Sequence, residues 1–350
     1  MPRVVALILH APLAPGAGPL GRAFEAIRRE TAERHAAGFE TAGAAPIVDD
    51  RPTGGSFGER VRTVVTEDRP HGLVVLGSGS IPIAGLPERR LFVDVAAGPA
   101  GHALANNRYS ADVVAVAGAD VLGRLGDVAS DNGLPRWLAA DAGVDVRDLR
   151  SRWRLQLDLD SPLDALLIDP DGTRGVLRDA GADARLVLEA IRRVAATTTD
   201  PTKELVVAGR ASSTGLRWLE RSTASRTRAL VEERGFRTRA GGQRPVRSAL
   251  GLVLDRDGPD ALGPRLAELG DAAIVDTRVL IAHRFGADEA SWPAPEDRFA
   301  SDLLLADRIA DPWLRALTTS ARDAGIPVVL GGHTVVGPGL RLVLDQSRWT

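Results

Sequence analysis

Short apolar runs recur along the chain, and they alternate with longer stretches that have the composition of helices. Apolar runs of this kind, bounded by glycine and proline, are typical of strands covered on both faces of a parallel sheet. In the first half we predict strands at Val4–His10, Pro46–Asp49, Leu73–Leu76, Ala111–Ala117 and Val144–Leu149, and an alternating segment at Arg154–Asp158. We predict helices between them at Pro19–Ala37, Ser56–Thr66, Leu86–Ala97 and Asp131–Ala142.

The same alternation starts again after a polar stretch with a proline between Ala195 and Lys203, so we predict two domains, residues 1–198 and 199–350. The second half is expected to contain strands at Glu204–Gly209, Ala249–Leu254, Ala272–Asp276, Ile326–Leu330 and Leu340–Leu344. Its predicted helices are Ser213–Arg234, Asp260–Leu269 and Asp297–Ala324, the last broken at Asp311-Pro312. The pattern therefore predicts an α/β fold with a doubly wound, mainly parallel sheet, followed by a second α/β domain.

Composition narrows the functional classes. The 350 residues contain no cysteine, which excludes disulfides, thiolate metal sites and a cysteine nucleophile. A formal charge of -2 argues against nucleic acid as the main partner. No apolar stretch reaches the roughly 18 residues of a membrane span, so we expect a cytoplasmic protein, and a homo-oligomer is left open. Lys203 is the only lysine, so phosphate contacts would come from arginine and backbone amides.

A glycine-rich segment follows the first predicted strand. Gly16, Gly18 and Gly21 match G-x-G-x-x-G before a helix, which is the context of a phosphate cradle. A dinucleotide site also needs an acidic residue about 20 positions later, and Asp49 comes too late for that. The alternatives are a mononucleotide loop, in which Arg22 joins the backbone amides on the phosphates, and a purely structural turn.

Two further turns follow predicted strands. Gly77, Ser78 and Ser80 form a turn in which the backbone can approach a ligand closely. Asp158 and Asp160 lie on one side of an extended segment, an arrangement that suits Mg²⁺. The structural alternatives are a βα turn without a ligand and a helix cap, in which Asp160 or Ser161 caps a helix that begins at Pro162 and has Asp164 in its first turn.

Other candidates are more isolated. A polar cluster before a strand, Asn106-Asn107-Arg108, has groups that would bind a base edge or an acidic substrate, or it is an ordinary loop. In the second half Asp276 and His333 are expected at neighbouring strand ends, as acid and base or as metal ligands, with His283 as a further candidate. The alternative for these histidines is a structural role. The aspartates of the last long helix, Asp297 and Asp307, are expected on a solvated face.

The first half resembles small bacterial GT-A-fold transferases. The resemblance covers about Pro2–Ile168 and is carried by four segments in order: HAPLAPG at 10–16, GGSFGER at 54–60, LGSGSIP at 76–82 and DLDSP at 158–162. Two related groups share this order, the MobA-like or glycosyltransferase-A-like proteins and the phospholactate/phosphoenolpyruvate guanylyltransferases. This chain departs from their pattern between Gly77 and Pro82, where those families have an aspartate.

The resemblance implies a nucleoside triphosphate or nucleotide-sugar whose phosphates lie over Gly16, Gly18 and Arg22, with Asp160 as a ligand of Mg²⁺. The expected activity is nucleotidyl or glycosyl transfer to a small phosphorylated or hydroxyl acceptor. Because the aspartate is absent between Gly77 and Pro82, a non-catalytic nucleotide-binding or scaffold protein is the alternative. A third hypothesis is an NAD(P)-dependent oxidoreductase that uses Gly16–Gly21, with His333 in catalysis.

Overall fold

The computed structural model describes residues 2–51, 55–126, 131–234 and 245–349. By its contacts the chain divides into two compact units. The first comprises Met1–Ala14 and Glu25–Leu159, and the second comprises Pro15–Phe24 and Asp160–Thr350. Residues 160–198 therefore group with the second unit, whereas the sequence predicted a boundary after residue 198. The glycine-rich segment also belongs to the second unit, although it lies near the beginning of the chain.

The first unit contains a six-stranded sheet with the order β2-β1-β3-β5-β4-β6. β5 is antiparallel to both of its neighbours, and the other strand pairs are parallel. The reversal of β5 and the short β4 were not predicted from the sequence. The strands are β1 (Val4–Leu9), β2 (Ala45–Asp49), β3 (Gly72–Gly77), β4 (His102–Ala105), β5 (Val113–Ala117) and β6 (Asp145–Asp148).

Both faces of this sheet are covered, as the uninterrupted apolar runs predicted. Val5 and Leu7 of β1 enter one apolar cluster, while Ala6 and Ile8 enter the other, because successive side chains of a strand point to opposite faces. The helices associated with this half of the chain are α1 (Pro19–Ala42), α2 (Phe57–Asp68), α3 (Leu86–Ala96) and α4 (Leu134–Ala140), with 3-10 turns at Ala119–Arg124, Asp131–Gly133 and Trp153–Gln156. The first residues of α1 belong to the second unit.

The second unit contains a four-stranded sheet with the order β10-β9-β7-β8, in which every pair is parallel. Its strands are β7 (Glu204–Gly209), β8 (Arg226–Val231), β9 (Ala272–Asp276) and β10 (Val328–Gly331). Its helices are α5 (Pro162–Ile168), α6 (Pro170–Asp179), α7 (Arg185–Thr197), α8 (Ser213–Ser222), α9 (Ala249–Asp257), α10 (Leu262–Leu269), α11 (Thr277–Phe285), α12 (Pro295–Asp302), α13 (Pro312–Arg322), α14 (His333–Val336) and α15 (Leu340–Val343). The α/β class predicted from the alternation is confirmed.

Several predicted elements are wrong, each for an identifiable reason. Ala249–Leu254 and Leu340–Leu344 are helical, because a short apolar run does not distinguish a buried strand from a buried helix. The predicted helix at Ser213–Arg234 ends at Ser222, and its second part is β8, an exposed strand at the edge of the sheet with no apolar run to reveal it. Arg154–Asp158 contains a 3-10 turn instead of an extended segment. No helix among the described residues is long and apolar enough to cross a membrane.

Candidate functional site

The first unit has a topological switch point between β1 and β3. The chain passes from β1 to β2 on one side and then to β3 on the other, and ligands of open α/β sheets bind at such points, beyond the carboxyl ends of the strands. His10 follows β1 and Ser78 follows β3. The His10 Nδ1 atom lies 3.1 Å from the Ser78 hydroxyl, and Arg28 of α1 donates to the same hydroxyl at 3.0 Å.

Glu25 completes this polar cluster, which we call the β1/β3 cluster: His10, Glu25, Arg28 and Ser78. A carboxylate oxygen of Glu25 lies 3.2 Å from the other ring nitrogen of His10. Partial burial raises the pKa of Glu25, but hydrogen bonds from Arg29 and His10 outweigh it and bring the pKa below its usual value. The carboxylate therefore remains charged beside the imidazole at neutral pH.

The bonding order serine, histidine, carboxylate is that of a hydrolase triad. However, Ser78 is 0% exposed and His10 is 1% exposed, so no substrate carbonyl can reach the hydroxyl in this structure. The two side chains instead hold the turn after β3 against the end of β1. Arg28 and Glu25 are the members of the cluster that are only partly buried.

The turn after β3 is also bound to the acidic segment. Leu159 donates its amide to the Gly79 carbonyl at 3.0 Å, and Ser80 forms an isolated antiparallel bridge with Asp158. A Cβ atom on Gly79 would lie 2.9 Å from the Leu159 carbonyl and 3.1 Å from a carboxylate oxygen of Asp158. Gly79 therefore permits the close approach, and Asp158 brings a carboxylate to the turn that has none of its own.

Asp160 begins the large segment of the second unit, and its side chain is exposed. The predicted cap after it is confirmed, because the Ser161 hydroxyl accepts from the Asp164 amide at 3.3 Å. The described residues contain no group of three or more histidine, aspartate or glutamate side chains that could hold a metal. Mg²⁺ needs only one or two carboxylates, so the metal role of Asp160 stays a prediction.

Asp164 is a buried carboxyl group behind Asp160. One of its oxygens accepts from the Asp160 amide and the Ser161 hydroxyl, both at 3.0 Å, and the other has no hydrogen-bond partner among the described residues. Burial, followed by the charges of Asp160 and Asp302, raises the pKa of Asp164 well above its usual value. From the sequence, Asp164 was predicted only as a residue of the first turn of a helix.

Two backbone amides of the glycine-rich segment already have a partner. The Leu20 and Gly21 amides donate to the carboxylate of Glu296 at 3.0 and 2.9 Å. Arg22, which was expected on phosphates, donates from its guanidinium to the Ala17 carbonyl at 2.7 Å. Gly16 has a φ of +76°, as expected of a glycine turn. The predicted turn before a helix is therefore present, and two of its donors are used by an internal carboxylate.

Asn106, the first residue of the polar cluster at 106–108, has a structural role. Asn106 is fully buried, and its side chain accepts from the Asp112 amide and donates to the Leu155 carbonyl, both at 2.9 Å. Both ends of the amide group are used within the protein, and the role of Asn106 as a substrate ligand stays a prediction. Asn107 accepts from the Tyr109 amide at 3.0 Å, and Arg108 is exposed.

In the second unit the carboxyl ends of the parallel strands carry paired charges. Asp276, the last residue of β9, accepts from Arg210, which follows β7, at 2.5 and 3.0 Å. Burial raises the pKa of Asp276, but Arg210 and then His333 lower it below its usual value. His333 therefore contributes to the electrostatic environment of Asp276, and the pairing of the two as acid and base or as metal ligands stays a prediction.

A second buried ion pair lies beside this one. Arg278 of α11 donates from both terminal nitrogens to Asp302 of α12, and the two side chains are 7% and 0% exposed. The predicted solvated face is therefore only partly correct. Asp307 is 95% exposed, but Asp297 is buried and accepts from the amides of Ala310 and Asp311 at 2.9 and 2.8 Å. Asp297 caps the turn before α13 and does not face solvent.

His283 has a structural role, which was the alternative given for it, and its role as a site residue stays a prediction. Its Nδ1 atom accepts from the Ser248 amide at 3.0 Å, and its Nε2 atom lies 2.9 Å from a carboxylate oxygen of Asp255. Both ring nitrogens are therefore used to hold α9 against α11.

Several polar residues of these clusters were not predicted from the sequence. Arg28 and Glu25 lie on the helix after the glycine-rich segment, and their spacing of three residues was a usable signal, because such residues share a helix face. Arg210 directly follows a predicted strand, and Asp276 ends another, which was a second signal. Glu296 had none, because its partners lie 275 and 276 residues away in the chain.

Comparison with known proteins gives little further information. No family model matches the chain, and no curated protein matches it. The crystal structure of a Mycobacterium tuberculosis Rv0371c homologue from Mycobacterium sp. strain JC1 is 17% identical, with a TM-score of 0.26, and the match covers 50% of this chain and 98% of that one. Rv0371c from Mycobacterium tuberculosis H37Rv is also 17% identical, with a TM-score of 0.25, over 42% of this chain and 87% of its own. At these scores the similarity carries no argument about fold or activity.

Proposed function

We propose that this protein is a nucleotide-dependent transferase that moves a nucleotidyl or glycosyl group to a small phosphorylated or hydroxyl acceptor. The observation that carries the proposal is the β1/β3 cluster at the switch point of the first unit. In an open α/β sheet this is the place where a nucleotide binds. His10, Ser78 and Arg28 converge there through hydrogen bonds of 3.0 to 3.1 Å.

Arg28 is the group in this cluster that suits a phosphate. A planar guanidinium binds phosphate oxygens through two parallel hydrogen bonds, and the chain has almost no lysine to take that role. Ser78 holds one of the terminal nitrogens of Arg28, and the same hydroxyl is held by His10. The guanidinium is thus positioned before a ligand arrives, which lowers the entropic cost of binding.

The donors for a metal ion are also of the appropriate kind. In the first unit, Asp158 at the turn after β3 and Ser80 beside it offer oxygen ligands, which Mg²⁺ prefers. Asp160 remains the ligand that the sequence predicts. When bound, Mg²⁺ would offset the negative charge that develops on a leaving pyrophosphate. The Asp158 carboxylate can lie close to the turn after β3 because Gly79 has no Cβ atom.

A thermal-shift panel tests the proposal. The ligands are GTP, CTP, ATP, UTP, nucleotide-sugars, NAD and NADP, each with and without Mg²⁺. A ligand that binds only the folded protein raises the melting temperature by mass action. We expect one triphosphate or nucleotide-sugar to give a shift that grows with Mg²⁺. Binding that is indifferent to Mg²⁺ favours the scaffold protein, a shift with NAD(P) alone favours the oxidoreductase, and no shift with any nucleotide overturns the proposal.

Two variants test the residues involved. Arg28→Gln should weaken nucleotide binding about tenfold or more, because a charged hydrogen bond to phosphate is lost. Arg34→Gln, on the same helix but bonded to Thr31, is the control. Asp160→Asn should remove the Mg²⁺-dependent part of the shift, and Asp171→Asn, at an aspartate that is 98% exposed, should not. Equal effects of Arg28→Gln and Arg34→Gln on nucleotide binding would show that Arg28 does not bind the nucleotide.

A further inference from the structure

Arg89 of α3 is a cation without a counter-ion in the first unit. Its side chain is partly buried, its Nε atom is buried, and its guanidinium forms no hydrogen bond or ion pair with any described residue. A Cβ atom on Gly38 of α1 would lie 2.6 Å from this Nε atom and 2.8 Å from the guanidinium carbon. The guanidinium therefore lies directly on α1, where the glycine makes room for it. Burial of a charge is costly unless the charge is paired, so this position is unfavourable without an anion.

A second arginine makes the position less favourable still. Arg34 precedes Gly38 by four residues, so both lie on one face of α1. Burial and then the charge of Arg34 lower the pKa of Arg89 below its usual value, and the charge of Glu88 offsets this only in part. The Glu88 carboxylate is itself used in the cap of α3. The local charge is therefore positive and is not balanced within the first unit.

His35, the neighbour of Arg34, has unsatisfied polar atoms at the same place. It is buried, and neither ring nitrogen has a hydrogen-bond partner among the described residues. Burial and then the charge of Arg89 lower its pKa, while the backbone of Ser80 acts in the opposite direction. Buried side chains of this kind normally have their donor and acceptor satisfied, so the imidazole is a second, independent sign of a missing partner.

We propose that Arg89, His35 and Gly38, which we call the Arg89 site, bind the phosphate group of a small ligand through the Arg89 guanidinium. A guanidinium donates two parallel hydrogen bonds to phosphate oxygens. A phosphate monoester carries about two negative charges at neutral pH, which matches Arg89 together with the neighbouring charge of Arg34. A carboxylate has oxygens of the same kind but only one negative charge, and the test below distinguishes the two groups.

The Arg89 site and the β1/β3 cluster adjoin the same turn. Arg28 and His35 are seven residues apart on α1, which is about 10 Å along the helix axis. Arg28 donates to Ser78, and the backbone of Ser80 acts on His35, so both positions border the turn after β3. In the proposed transfer the nucleotide lies at Arg28, and the phosphate at Arg89 belongs to the acceptor. This assignment rests on the proposed function, whereas phosphate binding at Arg89 does not.

The experiment compares wild type, Arg89→Gln and Arg90→Gln. Arg90 is the next residue of α3 and is exposed, so its replacement makes the same change of charge outside the site. The melting temperature is followed as inorganic phosphate is added, at constant ionic strength because salt screens charges. Phosphate also stabilises folded proteins in general, and the control variant corrects for this.

We expect phosphate to raise the melting temperature of wild type and Arg90→Gln alike, and the dissociation constant of Arg89→Gln to be larger by about tenfold or more, because a charged hydrogen bond is lost. Equal dissociation constants in all three proteins would overturn the site. An equal shift with acetate at the same concentration would overturn the assignment to phosphate. If Arg89→Gln melts too early for titration, Arg89→Lys decides, since it keeps the charge but loses the paired donors and should bind phosphate more weakly.

The outcomes separate the two proposals. If phosphate binding requires Arg89 but no nucleotide binds, the Arg89 site stands, and its assignment to an acceptor fails with the proposed function. If a nucleotide binds but phosphate affinity is the same in all three proteins, the Arg89 site is wrong and the proposed function stands. If phosphate binding requires Arg89 and the nucleotide binds Arg89→Gln as tightly as wild type, both proposals are supported.

Discussion

His35 is an ionisable side chain placed where it cannot be charged. It lies on α1 within the first unit, is 1% exposed, and has no hydrogen-bond partner for either ring nitrogen among the described residues. Burial, together with the neighbouring charges of Arg89 and Arg34, lowers the pKa of His35 to about 3. The imidazole therefore stays neutral throughout the range in which an unfolded histidine becomes protonated.

This gives a pH dependence with a definite sign. Below the unfolded value of 6.5 the unfolded chain binds a proton that the folded protein does not, so stability is complete above pH 6.5 and is lost as the pH falls toward 3. We expect His35→Leu to reduce this loss, which is at most about 1.4 kcal/mol for each pH unit. Urea unfolding at pH 7.5 and 4.5 measures it.

Phe39→Leu is the control for His35→Leu. Phe39 is fully buried on the same helix, and its ring centroid lies 6.4 Å from that of His35, but it does not titrate. Its replacement should lower the free energy of unfolding by a similar amount at both pH values. A pH dependence that is the same in His35→Leu and in wild type would show that the imidazole is not the source.

At the scale of elements, α9 and α11 are joined through one ring. His283 of α11 holds the Ser248 amide before α9 and the Asp255 carboxylate near its end. Gly251 of α9 faces the same ring, and a Cβ atom there would lie 2.6 Å from it. Gly251 therefore leaves room for the His283 ring, and the ring joins the two helices. This packing is a structural reason for a histidine at position 283.

We expect His283→Ala to lower the free energy of unfolding by about 2–4 kcal/mol, because it leaves a cavity and a buried amide without an acceptor. Asp255→Asn keeps an oxygen near the ring and should cost less than about 1 kcal/mol. Denaturant unfolding measures both. Nucleotide binding should not change in either variant. A loss of nucleotide binding without a loss of stability would show that His283 has a functional role.

At the scale of the whole molecule, the charges nearly cancel. Forty-four basic and 46 acidic side chains leave a formal charge of -2, so no long-range positive field is available to attract a phosphate backbone. We expect no binding of double-stranded DNA or RNA at physiological salt. Fluorescence anisotropy with labelled duplexes of about 20 base pairs measures this. Micromolar binding that weakens steeply with added salt would contradict this expectation.

The sequence by itself determined the class of the fold and the ends of most buried strands. Val4–Leu9, Leu73–Leu76 and Ala272–Asp276 are recognisable because a strand covered on both faces needs an unbroken apolar run. The cap at Ser161 and the turn at Gly16 were also predictable, since both depend on residues a few positions apart. Local geometry needs only local sequence.

Only the tertiary structure decided the partners of each polar side chain. Asn106 and His283 are residue types that are common in binding sites, yet their side chains form hydrogen bonds within the protein. Glu296 had no local signal, yet its carboxylate occupies the amides where phosphate was expected. A hydrogen bond depends on distances of about 3 Å between atoms, and when the residues are hundreds of positions apart the packing of the elements, not the sequence pattern, sets those distances.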